Sequence, residues 1–328
     1  MTVHALRSTV RTIGSILIAT ITLAPLAAAR SAQPPSTRAP SAQPRSARAP
    51  LIRQTSGGDV AGSGIQISAP ASASAPARPS GRTQAGPFPP APAVDNPALA
   101  GCDAALLQAL TQTNPAASQW IMVVLPTTSS TTATLAIATV SHDAWRCTLA
   151  QTVARVGRQG IRAIEQRRSD DGTTPSGIFP LGVVATPQGP ISFFGNSADP
   201  GALGHYRRIQ PGDCYGANPN TPGYGHWRVD TVGCAGDDEL LANNVQTYEH
   251  AVLIGANTEP NVSGDAAGEI PYAAAIFLHR DAVTATGQTK PTSGCVSVGH
   301  DALVTALRTI NPALDPHFAI GLRADLVG

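Results

Sequence analysis

Residues 30–94 offer a fold almost nothing to bury. The stretch consists largely of Pro, Ala, Ser, Gly and Arg, and Asp59 is its one carboxylate. Near its start, SAQPPSTRAP at 31–40 and SAQPRSARAP at 41–50 form a degenerate ten-residue repeat. A segment so poor in large apolar side chains cannot offset the entropy lost on ordering, and its prolines favour extended backbone. A disordered, semi-stiff spacer is expected, whose arginines either hold it loosely among anionic polymers or only keep it soluble. Any packed core must come from residue 95 onward.

Ahead of the spacer, residues 1–29 read as an export signal. Arg7 and Arg11 precede an apolar stretch with Ile16, Leu17, Ile18, Ile21 and Leu23, and the small residues Ala27, Ala28 and Ala29 follow. The apolar run is short for a membrane span of roughly 20 residues and is interrupted at Pro25, so secretion is expected, with an uncleaved anchor as the alternative. No stable membrane span is expected once the signal is removed. A net charge of +1 argues against nucleic acid as a partner.

From Asp95 the composition turns globular. Ala104, Leu106, Leu107 and Leu110 fall on one helical face. Residues 120–125, 134–140, 160–164, 191–194, 251–255, 273–279 and 318–322 read as strands between Gly, Pro, Asn and Asp turns. A late helix is expected over 300–310, with Leu303, Val304, Leu307 and Ile310 inward and Pro312 just past its end. The fold class is therefore mainly β, with a few short helices.

Five cysteines outside a reducing cytosol leave one unpaired if the others bridge. Four cysteines allow three pairings. Cys102 with Cys147 and Cys214 with Cys234 is preferred, because the second bridge would staple an irregular Pro/Gly/Asn-rich loop. A zinc site from Cys214, His226 and Cys234 is the alternative, although the spacing has neither C-x-x-C nor H-x-x-x-H form.

That leaves Cys295, in the string Pro291-Thr292-Ser293-Gly294-Cys295-Val296, downstream of an apolar run that ends at His279. A thiol attacks as its thiolate, and a neighbouring imidazole can take the proton and lower the thiol pKa by ion pairing. Gly294 lets the backbone turn so that the Gly294 and Cys295 amides form an oxyanion hole. The bland reading is a small buried hydrophobe beside a satisfied strand-end histidine.

These residues resemble the catalytic signature of the L,D-transpeptidase (YkuD) family: a histidine, a spacer, then Ser/Thr-x-Gly-Cys and an apolar residue. Thr174 to Phe179 is similar to the family's T-P-x-G-x-F turn, Gly157-Arg158-Gln159-Gly160 to a segment ahead of it, and Pro211-Gly212-Asp213-Cys214 to a loop of a secreted branch. The similarity spans about Trp120 to the end of the chain and implies a catalytic-domain-like β-sandwich or barrel over 95–328. It departs at Ser293, where the family usually has histidine, and at Ser297, where it has asparagine or arginine.

The resemblance implies a monomeric, cofactor- and metal-free cysteine acyltransferase of the cell wall that acts on peptidoglycan stem peptides. Cys295 would be nucleophile and His279 base, with the Arg280 carbonyl orienting the imidazole and Ser293 and Gly294 near the oxyanion. The acceptor would be an amine, or water in a carboxypeptidase. Tyr206, Arg207, Tyr224, His226 and Trp227 either line the groove or cap a core. Two rivals stand beside this reading: a wall-binding module of the same fold without turnover, and a serine esterase using Ser297, whose surroundings lack the first glycine of G-x-S-x-G.

Overall fold

The computed structural model describes residues 91–230, 233, 234, 236 and 238–327. The expected signal and most of the spacer, residues 1–90, lie outside them. In chain order the elements are α1 (Ala104–Thr113), β1 (Gln119–Leu125), β2 (Thr132–Ser141), β3 (Ala144–Arg155), β4 (Ile161–Ala163), β5 (Thr174–Pro180), β6 (Phe193–Gly195), β7 (Tyr206–Arg208), β8 (Asp213–Tyr215), β9 (Trp227–Val229), β10 (Glu239–Leu240), β11 (Ala251–Leu253), β12 (Phe277–Arg280), β13 (Val296–Val298), α2 (His300–Thr309), β14 (Pro316–Leu322) and α3 (Arg323–Val327). The chain is mainly β, as expected. Among the described residues one mixed sheet has the order β4-β5-β14-β1-β2-β3-β13-β12-β11-β6-β7, and a smaller one the order β10-β8-β9.

Strand β1 is apolar without alternation because both of its faces are covered. Ile121, Val123 and Leu125 join a core completed by Leu303, Ala306, Leu307 and Ile310 of the α2 region. Trp120 and Met122 join a second core with Leu106, Leu107 and Leu110 of α1. Full burial of such side chains contributes roughly 1.5–3 kcal/mol each. On α2 the inward set is 303, 306, 307 and 310, an i, i+3, i+4, i+7 stripe, so Ala306 takes the place expected for Val304. Helix α1 starts where Asp103 caps the Leu106 amide at 2.9 Å.

β3 and β5 are among the strands that the sequence reading did not give. Strand β3 pairs with β2 through a tight turn at His142 and Asp143, both in the left-handed region (φ 51 and 58) that suits hairpin twist. Thr174 to Phe179, read as a turn, lies in a strand: β5 pairs antiparallel with β14 and parallel with β4.

The arms of the large sheet curl around the α2 core. Phe179 of β5 and Phe193 of β6, from opposite arms, meet in that core. Beyond β5, Leu181 bridges Ile254, and the Gly255 amide donates to the Pro180 carbonyl at 2.9 Å. The strand expected over 273–279 begins only at Phe277, because Ala275 lies in the left-handed region (φ 58) and breaks the extended run. Both preferred disulfides are present, Cys102–Cys147 and Cys214–Cys234. No helix among the described residues is long and apolar enough to cross a membrane.

Candidate active site

Strand alternation sets which side chains reach the site. β12 and β13 are parallel neighbours with Leu278 opposite Val296 and His279 opposite Ser297. Leu278, Val296 and Val298 point into the α2 core, while Phe277 belongs to a third core against which Cys295 packs. His279 follows Phe277 by two residues and so projects from the same face. The register places Cys295 level with Phe277, which makes Cys295 and His279 diagonal neighbours on adjacent strands. Both line one cavity of about 440 Å³, together with Arg167, Glu239, Tyr248 and Gly294.

The imidazole is held firmly. His279 is 5% exposed, and Tyr248 packs edge-on against it with ring centroids 5.7 Å apart. Its Nδ1 lies 2.7 Å from the Arg280 carbonyl oxygen, which can only accept, so Nδ1 carries the proton and neutral Nε2 keeps a lone pair. Burial pushes the imidazole pKa down to about 4, partly opposed by that carbonyl.

Cys295 is the one free cysteine among the described residues, and it is partly exposed, open on its cavity side. Its thiol donates to the Ala275 carbonyl at 3.3 Å, supplied by the left-handed kink before β12. Burial pushes the thiol pKa up to about 12, helped by the charge of Glu239, while the Phe277 amide and the Arg167 guanidinium act the other way. The resting pair is therefore a neutral thiol beside a neutral imidazole. A desolvated cavity disfavours both charges, so burial works against the ion pair expected from the sequence.

Gly294 precedes Cys295 with φ 155, a conformation that strains an L side chain, and a Cβ there would also lie 2.7 Å from Arg167 Nη2. The loop is tied by Thr292, whose hydroxyl donates to the Cys295 carbonyl at 2.6 Å and accepts from the Gly294 amide at 3.1 Å. Ser293 is exposed, and its hydroxyl accepts from Arg158 Nη1 at 3.1 Å. Ser293 thus ties the loop to Arg158 and also lines the Cys295 cavity.

Several residues weighed from sequence lie elsewhere. Ser297 is fully buried and donates to Asp281 at 2.6 Å, which removes it as an exposed esterase nucleophile. Cys214 and Cys234 are bonded to each other, which leaves neither sulfur for zinc. Arg207 pairs with buried Asp213 at 2.7 Å, and Trp227 packs edge-on against Phe194. Tyr206 contacts His250 Nδ1 at 2.8 Å, buried Tyr224 donates to the Tyr272 carbonyl, and His226 sits between Glu259 and Asp265. Tyr206, Arg207, Tyr224, His226 and Trp227 do not line the Cys295 cavity; His226 and Trp227 border a separate pocket.

Sequence reasoning missed Arg167, Glu239 and Tyr248. Tyr248 is 3% exposed and donates to Glu239 at 2.5 Å, and burial raises the Glu239 carboxyl above its ordinary range. Arg167 is 3% exposed and lies next to Arg168; nothing in the local pattern separates the buried arginine from its neighbour. Comparison of the chain with protein-family models, curated proteins and solved structures returns no match.

Proposed function

We propose that the chain is a peptidoglycan L,D-transpeptidase acting through a cysteine acyl-enzyme on a fold of that family, outside the cytoplasm at the cell wall. The observation that carries this is the placement of Cys295, with the other four cysteines bridged, in one cavity with a histidine whose Nε2 lone pair is left free.

The reaction starts from neutral partners. As sulfur attacks the carbonyl carbon of the L,D-amide in a stem tetrapeptide, the thiol proton passes to His279 Nε2. The Cys295 amide would face the developing oxyanion, the Gly294 amide being held by the Thr292 hydroxyl. The C–N bond then breaks, and the imidazolium returns its proton to the leaving amine of the terminal D-alanine. A thioester remains. An acceptor amine attacks it, gives its proton to His279, and a new amide forms as the thiol is regenerated; water in place of the amine gives the carboxypeptidase outcome.

The family resemblance also implies acylation by carbapenems, which supplies the test. Intact mass of the full-length chain after incubation with a carbapenem should show one adduct, absent from Cys295→Ala; labelling at another residue would sink the assignment. A second reading, a binding module without turnover, is favoured by the upward shift of the thiol pKa. It predicts no adduct and a thiol inert to alkylation.

A further inference from the structure

Acyl transfer to an amine leaves one proton without a place. A primary side-chain amine has a pKa near that of lysine, about 10.4, so at neutral pH it arrives as an ammonium with no lone pair to attack with. Aminolysis of a thioester therefore removes two protons from nitrogen, one before attack and one after. His279 Nε2 has a single lone pair, which the second proton takes. Another base must receive the first.

Besides the neutral imidazole, the cavity is lined by the charged side chains of Arg167, Asp170, Lys290 and Glu239. Asp170 and Lys290 are exposed, and Arg167 faces Asp171 at 3.1 Å. Glu239 is partly buried and forms no ion pair among the described residues. Its Oε1 accepts from the Tyr248 hydroxyl at 2.5 Å, which leaves Oε2 without a hydrogen bond among those residues. Tyr248 packs edge-on against His279, and Cys295 packs against the cluster that contains Tyr248, so one side chain separates the carboxylate from both. Its charge is felt at the sulfur, where it opposes ionisation of the thiol.

The carboxylate is held in place by its strand. β10 sets Glu239 opposite Tyr215 of β8, and the adjacent Asp238 accepts from the Ala217 amide at 2.9 Å and pairs with Arg228 at 2.6 Å. Burial raises the Glu239 carboxyl, which makes it a stronger base than a solvated carboxylate and makes an incoming cation a favourable partner.

We infer that Glu239 receives the acceptor as its ammonium and takes the first of the two protons, which favours an amine over water at the acyl-enzyme. The inference rests on the acyl-enzyme reading above. Oε2 accepts an N–H proton of the ammonium, leaving a neutral amine and a neutral carboxylic acid. The nitrogen lone pair then forms the bond to the thioester carbonyl carbon, and the second proton passes to His279 Nε2. The C–S bond breaks with its electron pair on sulfur, the imidazolium protonates that sulfur, and Glu239 releases its proton to water.

The test acylates Cys295 in the full-length chain with a tetrapeptide ending in D-alanine and measures the ratio of aminolysis to hydrolysis with an added amine. Nα-acetyl-lysine amide is an ammonium at pH 7, whereas methoxyamine is already neutral there and has no first proton to lose. Glu239→Gln keeps the shape and an acceptor for Tyr248. It should lower the ratio for the lysine amine by about 100-fold and leave that for methoxyamine in place. In the variant the lysine ratio should then climb about tenfold per pH unit as the free amine appears, and in the native chain it should climb less. A structural role would weaken both amines alike, and that result overturns the inference. Glu239→Asp serves should the Gln variant not fold: drawing the carboxylate back by one methylene should lower the lysine ratio about tenfold against methoxyamine, and equal ratios again overturn it. If the native chain hydrolyses its acyl group and uses neither amine, the acceptor role of Glu239 is wrong and the acyl-enzyme stands; if it is never acylated, both fall.

Discussion

His279 donates from Nδ1 to the carbonyl oxygen of Arg280 at 2.7 Å, and this one contact fixes both the tautomer and the ring plane of the candidate base. Because Nε2 carries no proton, it can accept one without a change of tautomer, once the thiol turns from the Ala275 carbonyl to which it donates. The same burial that holds the ring sets a pH signature. The folded pKa is about 4 against an ordinary 6.5, so between these values the unfolded chain binds a proton that the folded chain refuses. Stability is fully present above pH 6.5 and falls as pH drops toward 4, by on the order of 3 kcal/mol from this residue. Urea titrations of the native chain and His279→Gln at several pH values should show a smaller acid loss in the variant; equal losses would contradict the buried neutral imidazole.

Alkylation of Cys295 should follow the same logic. With the thiol pushed up and no ion pair at rest, the iodoacetamide rate should climb steadily through and beyond pH 9. A rate plateau between about pH 5 and 7 is the mark of a thiolate–imidazolium pair and would show that the neutral assignment is wrong.

Gly294→Ala should be the most damaging small change in the loop. It places a Cβ at φ 155 and against Arg167 Nη2, at a strain cost of about 1–3 kcal/mol. We expect a lower melting temperature together with slower Cys295 labelling. An unchanged labelling rate would mean that the loop relaxes freely.

Ser293 and Ser297 should behave differently. Ser293→Ala removes an exposed hydroxyl held by Arg158 and should stay within about 0.5 kcal/mol of the native stability. Ser297→Ala leaves Asp281 without a buried donor and should cost about 1–3 kcal/mol. Chemical denaturation of both variants checks the order, and a reversed order would contradict the assigned contacts.

What could be read from the residues alone follows from how strongly each element's surroundings dictate its sequence. β1 was legible because burial on both faces demands an unbroken apolar run, and α2 because one face must pack while the other meets water. β3 was not: Thr148, Gln151 and Thr152 break any apolar pattern in a strand of which only Trp145 and Ala154 are buried. Thr-Pro-Ser-Gly at the start of β5 is turn chemistry in composition, and its partner β14, which makes it a strand, is distant in sequence. Cys295 stood out because an odd cysteine cannot be paired, and His279 because it ends an apolar run. Arg167 and the Glu239–Tyr248 pair gave no such sign, since their importance comes only from the cavity that tertiary packing builds around them.

The most direct measurement of the central claim is intact mass of the full-length chain after brief exposure to a stem tetrapeptide ending in D-alanine. The account predicts a covalent adduct with the mass of the tripeptide acyl group, hydroxylamine-labile as a thioester and absent from both Cys295→Ala and, at equal times, His279→Gln. A native chain that stays unmodified by the peptide while iodoacetamide alkylates the same thiol would contradict it.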